Sequence, residues 1–165
     1  MSPAVKRNVL RGLLALHFMG LGLSIGTRFA DMVIDNKTAA GGLQSLAFGR
    51  DLTSMLARSL VLPGFLLLIV TGVAMVGIRY GRRIPLWVAI KFCVAMMALA
   101  LGALVVSPAL ATAKSWADWS AVHGQAAPQL HASIARAEGY GAIVLVLFLF
   151  NILVAIWKPV VKRAA

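Results

Sequence analysis

The sequence predicts an all-α integral membrane protein, a bundle of four spanning helices with both termini cytoplasmic. Hydrophobic residues make up 61% of the 165-residue chain and charged ones 13%, with a mean hydropathy of +0.89. A soluble domain with a covered core needs far less apolar character. Four runs reach about the length of 18 apolar residues that marks a spanning helix: Gly12 to Ala30, Leu60 to Ile78, Ile84 to Val106, and Tyr140 to Trp157. The cations sit in short clusters between them. The net charge of +11 therefore belongs to a membrane surface and excludes nucleic acid as a partner, because no soluble face interleaves basic and aromatic side chains.

The first run follows Lys6, Arg7 and Arg11 and lacks a small-residue cleavage site, so it reads as a retained signal anchor. The segment Asp31 to Arg50 contains Asn36, Gly41, Gly42 and Gly49 and reads as an irregular outer loop. The second helix is expected to begin early, with Asp51 as its N-cap, and to bend at Pro63, where an N–H is missing and the ring crowds the preceding turn. A tight turn at Tyr80 to Pro85 leads into the third. The Ala-rich stretch Ala109 to Glu138 has few helix breakers. The third helix should accordingly run to about Val122, turn at His123 to Pro128, and pair as a long outer hairpin with a fourth beginning near Gln129. All 165 residues form one transmembrane domain.

Orientation follows from the cations, since basic residues beside a helix resist translocation. Lys6, Arg7, Arg11, Arg79, Arg82, Arg83, Lys158, Lys162 and Arg163 fall on one side with no acid among them. The other side carries Arg28, Lys37, Arg50, Arg58, Lys114 and Arg136 together with all the acids: Asp31, Asp35, Asp51, Asp118 and Glu138. The first side is the cytoplasmic one by this rule, in what is read as a bacterial inner membrane. The aromatic residues agree: Tyr80, Trp87 and Trp157 mark one interface, and Trp116, Trp119 and Tyr140 the other.

Ionisable side chains at membrane depth are costly and mark function more often than surface ones do. His17 lies five residues into the first run and Lys91 seven into the third, about 8 to 11 Å below the same boundary at 1.5 Å per residue. Thr71 and Asn151 stand at that level on the other two helices, with Cys93 nearby. The layer reads as a histidine ligand for haem or a metal, as a His/Lys pair that moves protons or binds an anion, or as plain interhelical hydrogen bonding. His123 and His131 flank the expected outer turn and could share a metal with Asp118 or Glu138. The outer set Arg28, Asp31, Asp51, Arg58, Arg136 and Glu138 could form an ion-pair collar but reads as an ordinary interface of hydrated charges, with the exception of Arg28, which is expected to face a partner or a headgroup. Gly22 and Gly26 form a GxxxG step in helix 1, with Gly20 and Ser24 interleaved, and Ala95, Ala98 and Gly102 a small-residue row in helix 3; both are expected to allow close helix contact or to dock a partner, or instead to accommodate a porphyrin or a lipid. The methionines form no ligand ladder and read as core filling. Cys93, the single cysteine, allows neither an intrachain disulfide nor a zinc site built on cysteines.

Four stretches carry a family likeness: LHFMG with His17, TRFAD with Arg28, LPGFLLLIVTGVAMV at residues 62 to 76, and PLWVAIKF with Lys91. Together, over roughly Leu13 to Ala109, they resemble the small four-helix bacterial membrane proteins related to HemJ and to the membrane domain of CopD. The resemblance implies haem b as cofactor, with His17 as an axial ligand and Lys91 as an active-site cation. Helix 1 lacks the tryptophan that the family pattern has after the histidine, and Gly102 and Ala103 stand where a second histidine would be. The expected function is a membrane protein with a buried site for haem b or another ligand, formed by His17, Lys91, Asn151 and Thr71. The alternatives are a non-enzymatic subunit or assembly factor that docks a membrane-protein partner or a second copy, and copper or other metal transport. Membrane lipid is a partner on every reading.

Overall fold

The computed structural model describes residues 2–81 and 83–157. The described residues form four helices and no strand: α1 (Pro3–Ala39), α2 (Gly42–Tyr80), α3 (Leu86–His123) and α4 (Leu130–Trp157). Each is long and apolar enough to cross a membrane. Arg82, Lys158, Lys162 and Arg163, used above for orientation, lie outside the described residues. With 37, 39, 38 and 28 residues, all four helices exceed the ~20 residues that cross a hydrocarbon core.

The segment Asp31 to Arg50 is helical rather than irregular. α1 continues to Ala39, and α2 starts at Gly42, whose φ is 82°. The glycines that suggested a loop have two separate jobs. Gly41 and Gly42 make the turn, with Gly42 at a positive φ that favours glycine. Gly49 lies inside α2 against Thr38 of α1, where a Cβ would have no room. Asp51 is consequently an interior residue of α2 and not its N-cap, and its carboxylate pairs with Lys114 at 2.9 Å.

Pro63 does perturb α2, as a widened turn rather than a simple bend. Residues Ala57–Val61 form a π-helical turn in which the Leu62 N–H donates to the Ala57 carbonyl. α3 repeats the device: Gly102–Val106 is a π turn, Ser107 N–H donates to the Gly102 carbonyl, and Pro108 follows. In both helices the turn ends two residues before a proline, whose ring crowds the carbonyl four residues back. The extra residue in the turn makes the space.

In the half of the bundle where α1 begins and α4 ends, α1 lies along Leu62–Tyr80 of α2, and the first part of α3 lies along α4. The two pairs meet through side chains around Phe65, Ala98, Val106 and Val144, with Phe65 and Phe148 edge to face at 4.8 Å. In the other half, Ser107–His123 of α3 packs between Gly42–Leu56 of α2 and α4. Small residues allow this. Ala113, Ala117 and Ser120 are fully buried on one face of α3, and Ala127 and Leu130 close the end of the core. Gly124, at φ 67°, terminates α3 in the left-handed cap conformation. Ser120 then accepts the Ala127 N–H at 2.9 Å, anchoring the connection to α4.

The close approach of α1 and α2 uses a different small-residue row from the GxxxG step. A Cβ on Gly22 or Gly26 would meet nothing within 4 Å, and both residues are exposed. Gly20, Ser24 and Thr27 form the buried face, at helical spacing, opposite Gly64. Residue 22 points about 200° away from residue 20 at 100° per residue, so the two rows face opposite directions. In α3, Ala98 belongs to the core while Gly102 has open space beside it.

Candidate functional site

His17 is half-buried on α1, and its Nδ1 lies 2.9 Å from the Thr71 hydroxyl on α2. The hydroxyl has a single proton, directed to the Leu67 carbonyl at 2.6 Å. Thr71 therefore accepts from His17, which fixes the neutral ring as the tautomer protonated at Nδ1. Nε2 is left with its lone pair. Gly72 supports this placement, because a Cβ there would stand 3.5 Å from His17 Cε1: the imidazole lies over α2 backbone.

The other two members of the layer are joined differently. Asn151 Nδ2 on α4 donates to the Lys91 backbone carbonyl on α3 at 3.0 Å. Within a helix that carbonyl already accepts one bond, and its second lone pair takes the amide. The Lys91 side chain is left out of this tie. It is half-buried. The layer thus consists of a His17–Thr71 link between α1 and α2 and an Asn151–Lys91 link between α3 and α4. Cys93 is exposed and takes no part. An oriented neutral imidazole with a bare Nε2, near an ammonium, can ligate a metal centre or accept a proton while the cation holds an anion.

A second polar cluster, in the other half, is more buried than hydrated surface charges would be. Arg50 on α2 is 5% exposed and contacts Glu138 of α4 at 3.0 Å and Asp35 of α1 at 3.3 Å. Its Nε has no partner, and neither have Asp31 Oδ1 and Asp35 Oδ1; the Arg50–Asp35 contact is an ion pair without hydrogen-bond alignment. Arg28 reaches Asp31 at 3.5 Å, and its guanidinium occupies the space that a Cβ on Gly141 would need. Burial pushes the Asp31 carboxyl up to about 6, against the pull of Arg28 and with the help of Asp35. Burial raises Asp35 too, opposed by Arg50. Arg58 and Asp51 are exposed and lie outside this core, as Arg136 does among the hydrogen-bonded groups. The sequence reading passed over Arg50 and Asp35. Their signal was Gly49 and Thr53 flanking Arg50, a small-residue face that brings a neighbouring helix close.

His123 is exposed at the end of α3, with Nδ1 2.8 Å from the Trp119 carbonyl and its ring stacked on Trp119 at 4.0 Å. His131 is exposed on α4. Among the described residues, no group of three His, Cys, Asp or Glu side chains could hold a metal ion, so nothing completes a site at this turn. In α3 the nearest acid, Asp118, pairs with Lys114 at 3.0 Å.

The chain matches no family model, no curated protein and no solved structure.

Proposed function

We propose that the chain is a multi-pass protein of a bacterial inner membrane that binds haem b, or a ligand of similar donor needs, through His17. The observation that carries this reading is the Thr71 contact, which orients the imidazole and leaves Nε2 as a free donor. Metal-ligating histidines commonly have this arrangement, with the second ring nitrogen held by an oxygen acceptor. The residues would fit a single histidine ligand: His17 would hold the iron, Thr71 would fix its ring, and Lys91 would offer a cation to a propionate. Bound haem supplies one-electron redox chemistry. The likeness of residues 13 to 109 to HemJ and CopD relatives supports the same choice. The charge distribution supports cytoplasmic termini, and hence a hairpin of α3 and α4 that stands beyond the outer boundary.

The test is a visible spectrum of the detergent-purified protein after haem-replete expression. A Soret band with about one haem per chain is expected, lost in His17→Ala and kept in His131→Ala. A colourless wild-type protein sinks the haem reading.

One observation favours a second reading. Asn151 satisfies itself on a backbone carbonyl rather than pointing into a ligand space, as interhelical glue does. A colourless protein that co-purifies with a fixed stoichiometry of another membrane protein supports a non-enzymatic subunit instead.

A further inference from the structure

At the end of the bundle where α1 begins, α1 and α2 flank a groove of about 420 Å³. Its rim holds Lys6, Arg7 and Arg11 from α1 and Arg79 from α2. Its floor is apolar, with Leu10, Leu14 and Met75. We propose that this groove binds one anionic glycerophospholipid, its phosphodiester headgroup on the four cations and the start of an acyl chain along Leu14 and Met75.

Charge is the first argument. All five acidic side chains of the protein are in the described residues, and none pairs with Lys6, Arg7, Arg11 or Arg79. Four like charges around one groove repel one another, and a bound anion relieves that. The cations are exposed and so free to turn toward it.

The second argument is the vertical order of the lining. The cations lie outside the apolar runs that begin at Gly12 and end at Ile78, whereas Leu14 and Met75 lie inside them. From the bundle end inward the groove changes from cationic to apolar within about one helical turn, ~5 Å. A lipid makes the same change from headgroup to chain. Leu14 is 45% exposed, so the floor opens sideways to the bilayer and does not form a closed pocket for a soluble anion. Basic pockets between spanning helices on the cytoplasmic side are known sites for acidic headgroups. The volume lies within the range of small-molecule sites.

The groove stops short of the polar layer: Leu14 precedes His17 by three residues and Met75 follows Thr71 by four. The headgroup cations are therefore separate from His17, while the chain path along Leu14 and Met75 ends about one helical turn from it.

The test uses the full chain, delipidated in a neutral detergent, with native mass spectrometry during titration of dioleoylphosphatidylglycerol or dioleoylphosphatidylcholine. One tightly retained phosphatidylglycerol is expected, with weaker phosphatidylcholine binding. At about fivefold per cation near a membrane surface, Arg11→Gln/Arg79→Gln should weaken the anionic lipid roughly 30-fold. Arg58→Gln/Arg136→Gln removes the same charge at the far end and should leave binding unchanged. Should the first pair impair folding, Lys6→Gln/Arg7→Gln on the exposed first turns of α1 gives the same test. Equal retention of both lipids, or equal losses in the near and far double variants, overturns the proposal.

Discussion

Gly20 of α1 and Gly64 of α2 approach so closely that a Cβ on Gly20 would stand 2.7 Å from the Gly64 carbonyl oxygen. A Cβ on Gly64 would in turn lie 2.7 Å from Ser24 Oγ. This crossing sets the spacing of α1 and α2, and His17 lies less than one turn from Gly20. Backbone atoms cannot rotate aside as a side chain can, so Gly20→Ala must push the helices apart. A loss of about 1 to 3 kcal/mol is expected, the range for overpacked cores. Gly22→Ala faces open space and should be neutral or slightly stabilising. Thermal unfolding in detergent checks the ranking, and equal midpoints for the two variants would contradict the crossing.

Arg50 ties three helices through Asp35 and Glu138 while itself nearly excluded from solvent. Removing its charge strands a carboxylate that burial already disfavours. Arg50→Met should cost about 3 kcal/mol, the low end for a broken buried pair, because Glu138 is 53% exposed and can turn to water. Adding Asp35→Asn should restore part of the loss. If the double variant is as unstable as the single one, the carboxylate is not the source of the cost.

The four spans were legible because apolar length and charge clustering are one-dimensional properties that survive any packing. The polar layer was legible as a level, since rise per residue gives depth directly. Which side chains meet was not, because a shared level leaves the rotation of each helix open. Gly22 and Gly26 fit the small-residue motif, yet Gly20, Ser24 and Thr27 take the contact, and only the partner Gly64 distinguishes the two faces. The helical ends on either side of Gly41 and Gly42 were hidden for a related reason. Gly41 and Gly42 break the helix as their identity suggests, but Gly49 is a packing residue, and sequence gives both roles the same letter. Arg50 could not be singled out because hydrated and buried arginines differ in surroundings rather than composition.

Asp31 makes stability depend on pH. Its carboxyl titrates at about 6 in the folded protein against 3.8 for the ordinary side chain, so between those values the folded state holds a proton that the unfolded state has lost. Stability therefore falls as pH rises through that window. The facing charges are Arg28 on its own helix, Arg50 on α2 and Glu138 on α4, with Asp35 one turn along. Asp35, also raised by burial, adds to the slope in the same sense. Asp31→Asn should raise stability at pH 7.5 by about 1 kcal/mol, discounted for partial solvation, and flatten the slope between about pH 4 and pH 6. Unfolding midpoints at the two pH values test this; a steeper slope in the variant would have the wrong sign.

Thr71 is a positioning residue, because its hydroxyl decides which nitrogen of His17 carries the proton. Thr71→Val keeps the branched shape and removes the acceptor, so Nδ1–H loses its partner and the ring can turn. Thr71→Ser keeps the acceptor and should behave as wild type. Nitrogen-15 NMR of the labelled histidine reads the tautomer without any ligand: a single Nδ1-protonated form is expected in wild type and Thr71→Ser, and a tautomeric mixture in Thr71→Val. If haem is the ligand, its affinity should fall about tenfold in Thr71→Val, as when an oriented metal-ligating histidine loses its supporting acceptor. A mixture already present in the wild type would remove the basis for assigning Nε2 as the donor, whatever the colour of the protein.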